Sequence, residues 1–170
     1  MIIVRVTGGL GNQMFQYAMY KSLEKKGKLV KLDSKSFYET KKEHNGYELE
    51  RIFDIKPNKP TKEDLEKFDE NNISTLFKIK RKLFGDKKFV YDTKEYVFNK
   101  DVYKLKNSYL NGYWQSIKYF EGIENDIKKD FRFQNQLDNK NLEILNEIEN
   151  SNSISIHIRR GDYMSPENYN

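Results

Sequence analysis

The sequence predicts an α/β fold built on a parallel sheet, and three stretches carry that prediction. Ile2-Ile3-Val4-Arg5-Val6 is a β-branched run suited to a strand buried on most sides. Gly8, Gly9 and Gly11 follow at once, with the positive φ and clearance that a sharp turn into a helix needs. At the far end, Ile154, Ile156 and Ile158 alternate with Ser155, His157 and Arg159, the period of two that marks a strand with one apolar and one polar face.

Taken in order, the glycine turn leads into a helix whose Phe15, Ala18, Met19 and Leu23 share one face, with Gly27 at the stop. Leu29-Val30-Lys31-Leu32-Asp33 reads as the next strand, so the chain opens on a right-handed strand–turn–helix–strand unit of the Rossmann-like kind. Residues 34–47 are polar and read as a loop, and 47–53 as a helical turn or a short extended piece. Pro57 and Pro60 punctuate the chain. Thr61-Lys62-Glu63-Asp64 has the form of a capping box opening a helix through Leu65 and Phe68. The basic stretch 73–88 reads as an amphipathic helix with a solvated lysine face, against an anion-binding or membrane-surface alternative. Residues 89–104 suggest strands or a hairpin-like excursion. Residues 109–115 are strand-like and hold the single Trp, a core-packing position. Ser116 then opens a helix with Phe120, Ile123, Ile127 and Phe131 on its apolar face. A last helix, 138–149, is expected to bury Leu142, Leu145 and Ile148.

Composition narrows the function without choosing it. Lys and Arg number 31 against 26 Asp and Glu, a net charge of +5, which permits anionic partners without selecting among them. The absence of cysteine removes disulfides, thiol nucleophiles and cysteine-ligated metals. The N-terminal apolar run is too short for a signal or a membrane span. The expected location is therefore cytoplasmic, with peripheral attachment to the inner face of the membrane left open by the basic surplus. No nucleic-acid module matches, so a basic nucleic-acid domain resting on 78–88 is the minor alternative; its affinity would fall steeply with salt.

Ligands of parallel sheets sit beyond the carboxyl ends of the strands, and both motif-bearing stretches point there. Gly9, Gly11, Asn12 and Gln13 occupy the turn and first helical residues after the first strand. Their spacing fits neither the dinucleotide nor the phosphate-loop pattern, and Asn12 reads equally as a helix N-cap or a ligand contact. His44 reads as a solvated loop histidine. At the terminal strand, His157 and Arg159 project to one side, followed by the turn Arg160-Gly161-Asp162. Arg159 has an ion pair with Asp162 as its structural reading. The crowding of ionisable groups there favours an anion site, since a planar guanidinium grips phosphate oxygens in two places.

The two end motifs, GGLGNQMFQYA and HIRRGDY, resemble the bacterial alpha-1,2-fucosyltransferases of glycosyltransferase family 11. LDSKSF at 32–37, YELERIFDI at 47–55, GYWQSIKYF and DFRF between 112 and 133 agree with them, leaving about 60–105 outside the resemblance. The resemblance implies a GT-B type enzyme with two Rossmann-like domains, moving L-fucose from GDP-fucose to the 2-hydroxyl of a galactose-terminated glycan acceptor, inverting and metal-independent. It implies that Arg159 holds the GDP phosphates, that His157 and Arg160 support it, and that Asp162 positions them. Asn12, with Gly9, Gly11 and Gln13, would face the donor. No D-x-D occurs, which suits arginine in place of a divalent cation, and no cofactor beyond the donor substrate is implied. Asp162 and Glu167 are the nearby carboxylates for a general base.

Family members are nearly twice this length, and the arginine motif opens their second, donor-binding domain. The expected organisation is thus an acceptor-side domain over 1–150 and the start of a donor-binding domain over 151–170, a fragment expected to be inactive alone. A GDP-fucose transferase of another linkage and a lectin-like glycan binder are the alternatives. The sequence sets no oligomeric state.

Overall fold

The computed structural model describes residues 1–40, 44–68, 97–158 and, for the backbone alone, 90–92. Among the described residues four strands, β1 (Ile2–Arg5), β2 (Val30–Asp33), β3 (Val90–Asp92) and β4 (Ser108–Asn111), form one sheet in the order β2-β1-β4-β3. Every pairing is parallel: Val4 sits opposite Leu32 on one side and Leu110 on the other. The helices are α1 (Leu10–Lys25), α2 (Ser36–Thr40), α3 (Leu49–Phe53), α4 (Lys62–Glu66), α5 (Glu124–Asp130) and α6 (Asn139–Glu149). The chain divides into two compact units, Met1–Gln134 and Asn135–Asn170, where the sequence suggested a boundary near 150.

Alternation along β1 sorts the sheet into two faces. Ile2, Val4 and Val6 join Leu32, Leu110, Met19 and Leu23 in the main core under α1, while Ile3 turns to the opposite face with Phe68, Leu65 and Tyr109. Each fully buried aliphatic side chain in that core contributes about 1.5–3 kcal/mol. Helix α1 ends as Gly27 predicts. Gly27 has φ +73, its N–H bonds Glu24 O at 2.9 Å, and Lys28 N bonds Leu23 O at 3.2 Å, closing the paired bonds of a Schellman motif. The capping box also forms, with Thr61 Oγ1 accepting from Asp64 N and Asp64 Oδ2 from Thr61 N.

Several expectations are corrected. Helix α1 begins at Leu10 with Gly9 as its N-cap, so Asn12 lies inside the first turn and caps nothing. The loop after β2 contains α2, because Asp33 Oδ1 accepts from the N–H groups of Lys35 and Ser36 and organises the turn. The helix expected from Ser116 is broken: Ile117–Tyr119 is a 3-10 turn, Gly122 adopts φ +85, and α5 starts only at Glu124. Its apolar side chains still meet the core, with Ile127 buried and Phe120, Ile123 and Phe131 packed on it. Within 89–104 the strand alternative holds at β3, which is a parallel neighbour of β4 rather than half of a hairpin, and residues 100–104 form a 3-10 turn.

In the second unit, α6 forms with Asp138 as a true N-cap, but Leu142 (43% exposed), Leu145 and Ile148 stay exposed rather than buried. Residues 153–158 are not a strand. A strand needs a ladder partner, no described strand pairs with this segment, and Ile154 is 89% exposed. The basic stretch 73–88 lies outside the described residues. No helix among the described residues is long and apolar enough to cross a membrane.

Candidate active-site edge at the glycine turn

The connections leaving β1 and β4 lie side by side at the carboxyl edge of the sheet. From β1 the chain crosses to β2 on one side, while β4 occupies the other, so this is where the topology changes direction. Gly8 takes φ +76, which only glycine adopts cheaply, and a Cβ there would come within 2.6 Å of Asn12 Nδ2. Gly11 is exposed and a Cβ on it would meet open space, so its lack of a side chain keeps the first turn of α1 clear without being demanded by packing. No side chain caps that turn and it holds no acidic residue, leaving its free N–H groups and the positive end of the helix dipole facing the edge.

Three amides hold the edge together. Gln13, 0% exposed, donates from Nε2 to Gly8 O (3.1 Å) and Gly46 O (2.8 Å), and its Oε1 accepts from Glu48 N at 2.8 Å. Gln16, equally buried, accepts from Thr7 N at 3.0 Å and donates to Thr7 Oγ1 and Gly112 O, both at 3.1 Å. Gln115 Nε2 donates to Asn12 Oδ1 at 2.8 Å, tying the loop after β4 to the first turn of α1. Tyr38 Oη donates to Gly8 O at 2.7 Å, and burial pushes its phenol up to about 12, so it remains a donor at neutral pH.

Of the residues singled out in the sequence, Gly9, Gly11, Asn12 and Gln13 are gathered here. Gln13 is wholly engaged in latching the turn to the 44–48 segment, while Gly9, Gly11 and the half-buried Asn12 reach the surface. His44 belongs to the same edge: it is exposed, has φ +58, and its Nδ1 lies 3.7 Å from where a Cβ on Gly9 would stand. His157 is exposed in the second unit, and Arg159, Arg160 and Asp162 lie outside the described residues. Sequence reasoning missed Gln16, Tyr38 and Gln115. The available signal was a pair of glutamines, Gln13 and Gln16, on the inward side of α1, which also carries Tyr17, Met19 and Leu23.

Behind this edge, on the second face of the sheet, Asp33 accepts from Tyr109 Oη at 2.6 Å. Burial first, and the Asp33 charge second, hold the Tyr109 phenol far above its ordinary value. Among the described residues no group of three metal-ligating side chains converges.

The sequence profile described as glycosyl transferase family 11 matches residues 1–169. An alpha-1,2-colitosyltransferase from Escherichia coli is 31% identical over 167 residues, covering 96% of this chain and 56% of the relative. The O-antigen biosynthesis glycosyltransferase WbnK, also from Escherichia coli, is 30% identical over 177 residues, covering 94% of this chain and 59% of its own length. The chain thus spans a little over half the length of the curated relatives it matches. No solved structure matches it.

Proposed function

Because this chain belongs to glycosyl transferase family 11, we propose that it is the acceptor-side Rossmann-like domain, with the start of the donor-binding domain, of a GT-B alpha-1,2-glycosyltransferase. The observation that carries this reading is the match over residues 1–169, which takes in both the glycine turn and the arginine motif. The donor is GDP-fucose and the acceptor a galactose-terminated glycan. The acceptor 2-hydroxyl attacks the anomeric carbon from the face opposite the diphosphate and gives up its proton to a general base, the bond from that carbon to the phosphate oxygen breaks, and GDP leaves.

In this reaction negative charge grows on the departing phosphate oxygens while the sugar passes through an oxocarbenium-like state. A fixed guanidinium at Arg159 stabilises that charge without reorganising, a role worth about 10²–10³ in rate for one such donor. Arg160 and His157 add donors beside it, and Asp162 orients the arginines. At the glycine-turn edge, Asn12 and the free N–H groups of the first turn of α1 offer hydrogen bonds to oxygen-rich ligands, with Gly9 and Gly11 keeping the approach clear.

A second donor deserves comparison because one relative is named an alpha-1,2-colitosyltransferase. The test is a transfer assay with the protein that carries this chain, offering GDP-fucose or GDP-colitose with a galactoside acceptor and analysing the linkage of the product. The reading expects a 1,2-linked fucosyl galactoside. A product from GDP-colitose alone moves the assignment to that sugar, and the absence of transfer from both donors contradicts it.

A further inference from the structure

On the flank of α1 away from the glycine turn lies a groove of about 410 Å³ within the first unit, in the size range of small-molecule sites. It centres on Tyr17, Tyr20, Lys21 and Glu24, about 13 Å further along the helix than Asn12 at about 1.5 Å per residue. It is therefore separate from the edge described above.

The groove has an apolar floor and a polar rim. Tyr17, Tyr20 and Phe53 form the floor, each at least 95% buried at the residue level, with Tyr17 and Tyr20 stacked at 5.8 Å. The rim carries Lys21, Lys56 and Lys129 against Glu24, Asp54 and Asp130, so its charges balance. Most are already spent on each other. Lys21 bridges Glu24 (3.3 Å) and Asp130 (3.6 Å), Lys56 pairs with Asp54 (2.7 Å), and Tyr17 Oη donates to Asp130 Oδ2 at 2.8 Å. Two exposed amides, Asn58 and Gln134, complete the rim.

The six rim charges sum to zero and Lys129 alone stands outside the pairs just given, so a net anion or cation meets no cluster of uncompensated partners here. A ligand with many hydroxyls, each both donor and acceptor, matches carboxylates, ammonium groups and amides at once. We propose that this groove is a second carbohydrate site, taking a neutral oligosaccharide apart from the glycine-turn edge. The choice of a glycan rests on the transferase reading above; the preference for a neutral ligand rests on the groove itself.

The test is an amide-resolved NMR titration of the 170-residue chain with lacto-N-neotetraose, a neutral galactose-terminated tetrasaccharide, and in parallel with GDP and with the carboxylated trisaccharide sialyllactose. The neutral glycan shifts Asn58, Lys129 and Gln134, and sialyllactose binds more weakly. Asn58→Ala weakens the neutral glycan about three- to tenfold, the worth of one neutral hydrogen bond. Lys129→Ala weakens it by a similar factor, and neither variant alters the GDP response. Shifts confined to the glycine turn, no response at millimolar glycan, or tighter binding of sialyllactose overturn the proposal. Glycan binding at the groove without any transfer by the protein would sink the enzymatic reading and leave this one standing. Transfer with a silent groove does the reverse.

Discussion

At the scale of single residues, Gln13 concentrates the structural demands of the candidate site. One amide satisfies the carbonyls of Gly8 and Gly46 and the N–H of Glu48, so its removal leaves three backbone groups without that partner. Gln13→Ala is expected to lower stability by about 2–3 kcal/mol, while Asn12→Ala, losing one half-buried bond, costs under about 1 kcal/mol. Urea midpoints of the two variants decide this; equal effects would show that the latch is not where the turn is held. The same pair shows what a sequence can reveal at this scale. The glycines announced a sharp turn into α1 because their chemistry is local. Gln16 reaching Gly112 O, and Gln115 reaching Asn12, join residues about a hundred positions apart, and no local pattern specifies that pairing.

At the scale of elements, ends were more legible than interiors. Gly27 and the Thr61–Asp64 box were readable because a cap is a short-range device, and both form. Gly27→Ala puts a Cβ on a residue at φ +73 and should cost about 1 kcal/mol, read as a lower thermal midpoint with unchanged helical signal at low temperature. A midpoint equal to the parent's would contradict a left-handed conformation that disfavours a side chain at this position. The helix expected from Ser116 failed for a related reason. Its apolar spacing was right, but Gly122 at φ +85 breaks the backbone while leaving Ile123, Ile127 and Phe131 on the same core. Periodicity reports which side chains are buried, not whether one continuous helix carries them. The terminal alternation of Ile154, Ile156 and Ile158 likewise marks strand propensity, whereas strand formation waits on a partner that no described element supplies.

At the scale of the whole molecule, buried phenols set the alkaline limit. Burial is the first cause holding Tyr17, Tyr47 and Tyr109 well above the ordinary tyrosine value, and Tyr38 is pushed up to about 12. Folded values above unfolded ones give stability that is complete below about pH 10 and lost as pH rises through the folded values. Asp64 works in the other direction: the Lys31 hydrogen bond depresses its carboxyl, so its contribution holds above about pH 4 and is lost as pH falls through the folded value. Urea unfolding from pH 7 to 11, with tyrosinate absorbance followed in parallel, should show flat stability to about pH 9 and a decline beyond pH 10. Uniform titration of all tyrosines near 10 in the folded chain would contradict it. Fold class was legible at this scale because strand, glycine turn and helix were contiguous; the order β2-β1-β4-β3 was not, since it depends on long crossovers. The proposed function rests on a guanidinium meeting a departing diphosphate, and the most direct measurement is steady-state transfer from GDP-fucose by Arg159→Ala in the protein that carries this chain. A fall of about 10²-fold or more in kcat/KM, with weaker GDP binding and unchanged thermal stability, is the predicted result. Turnover and GDP affinity within twofold of the parent would contradict it.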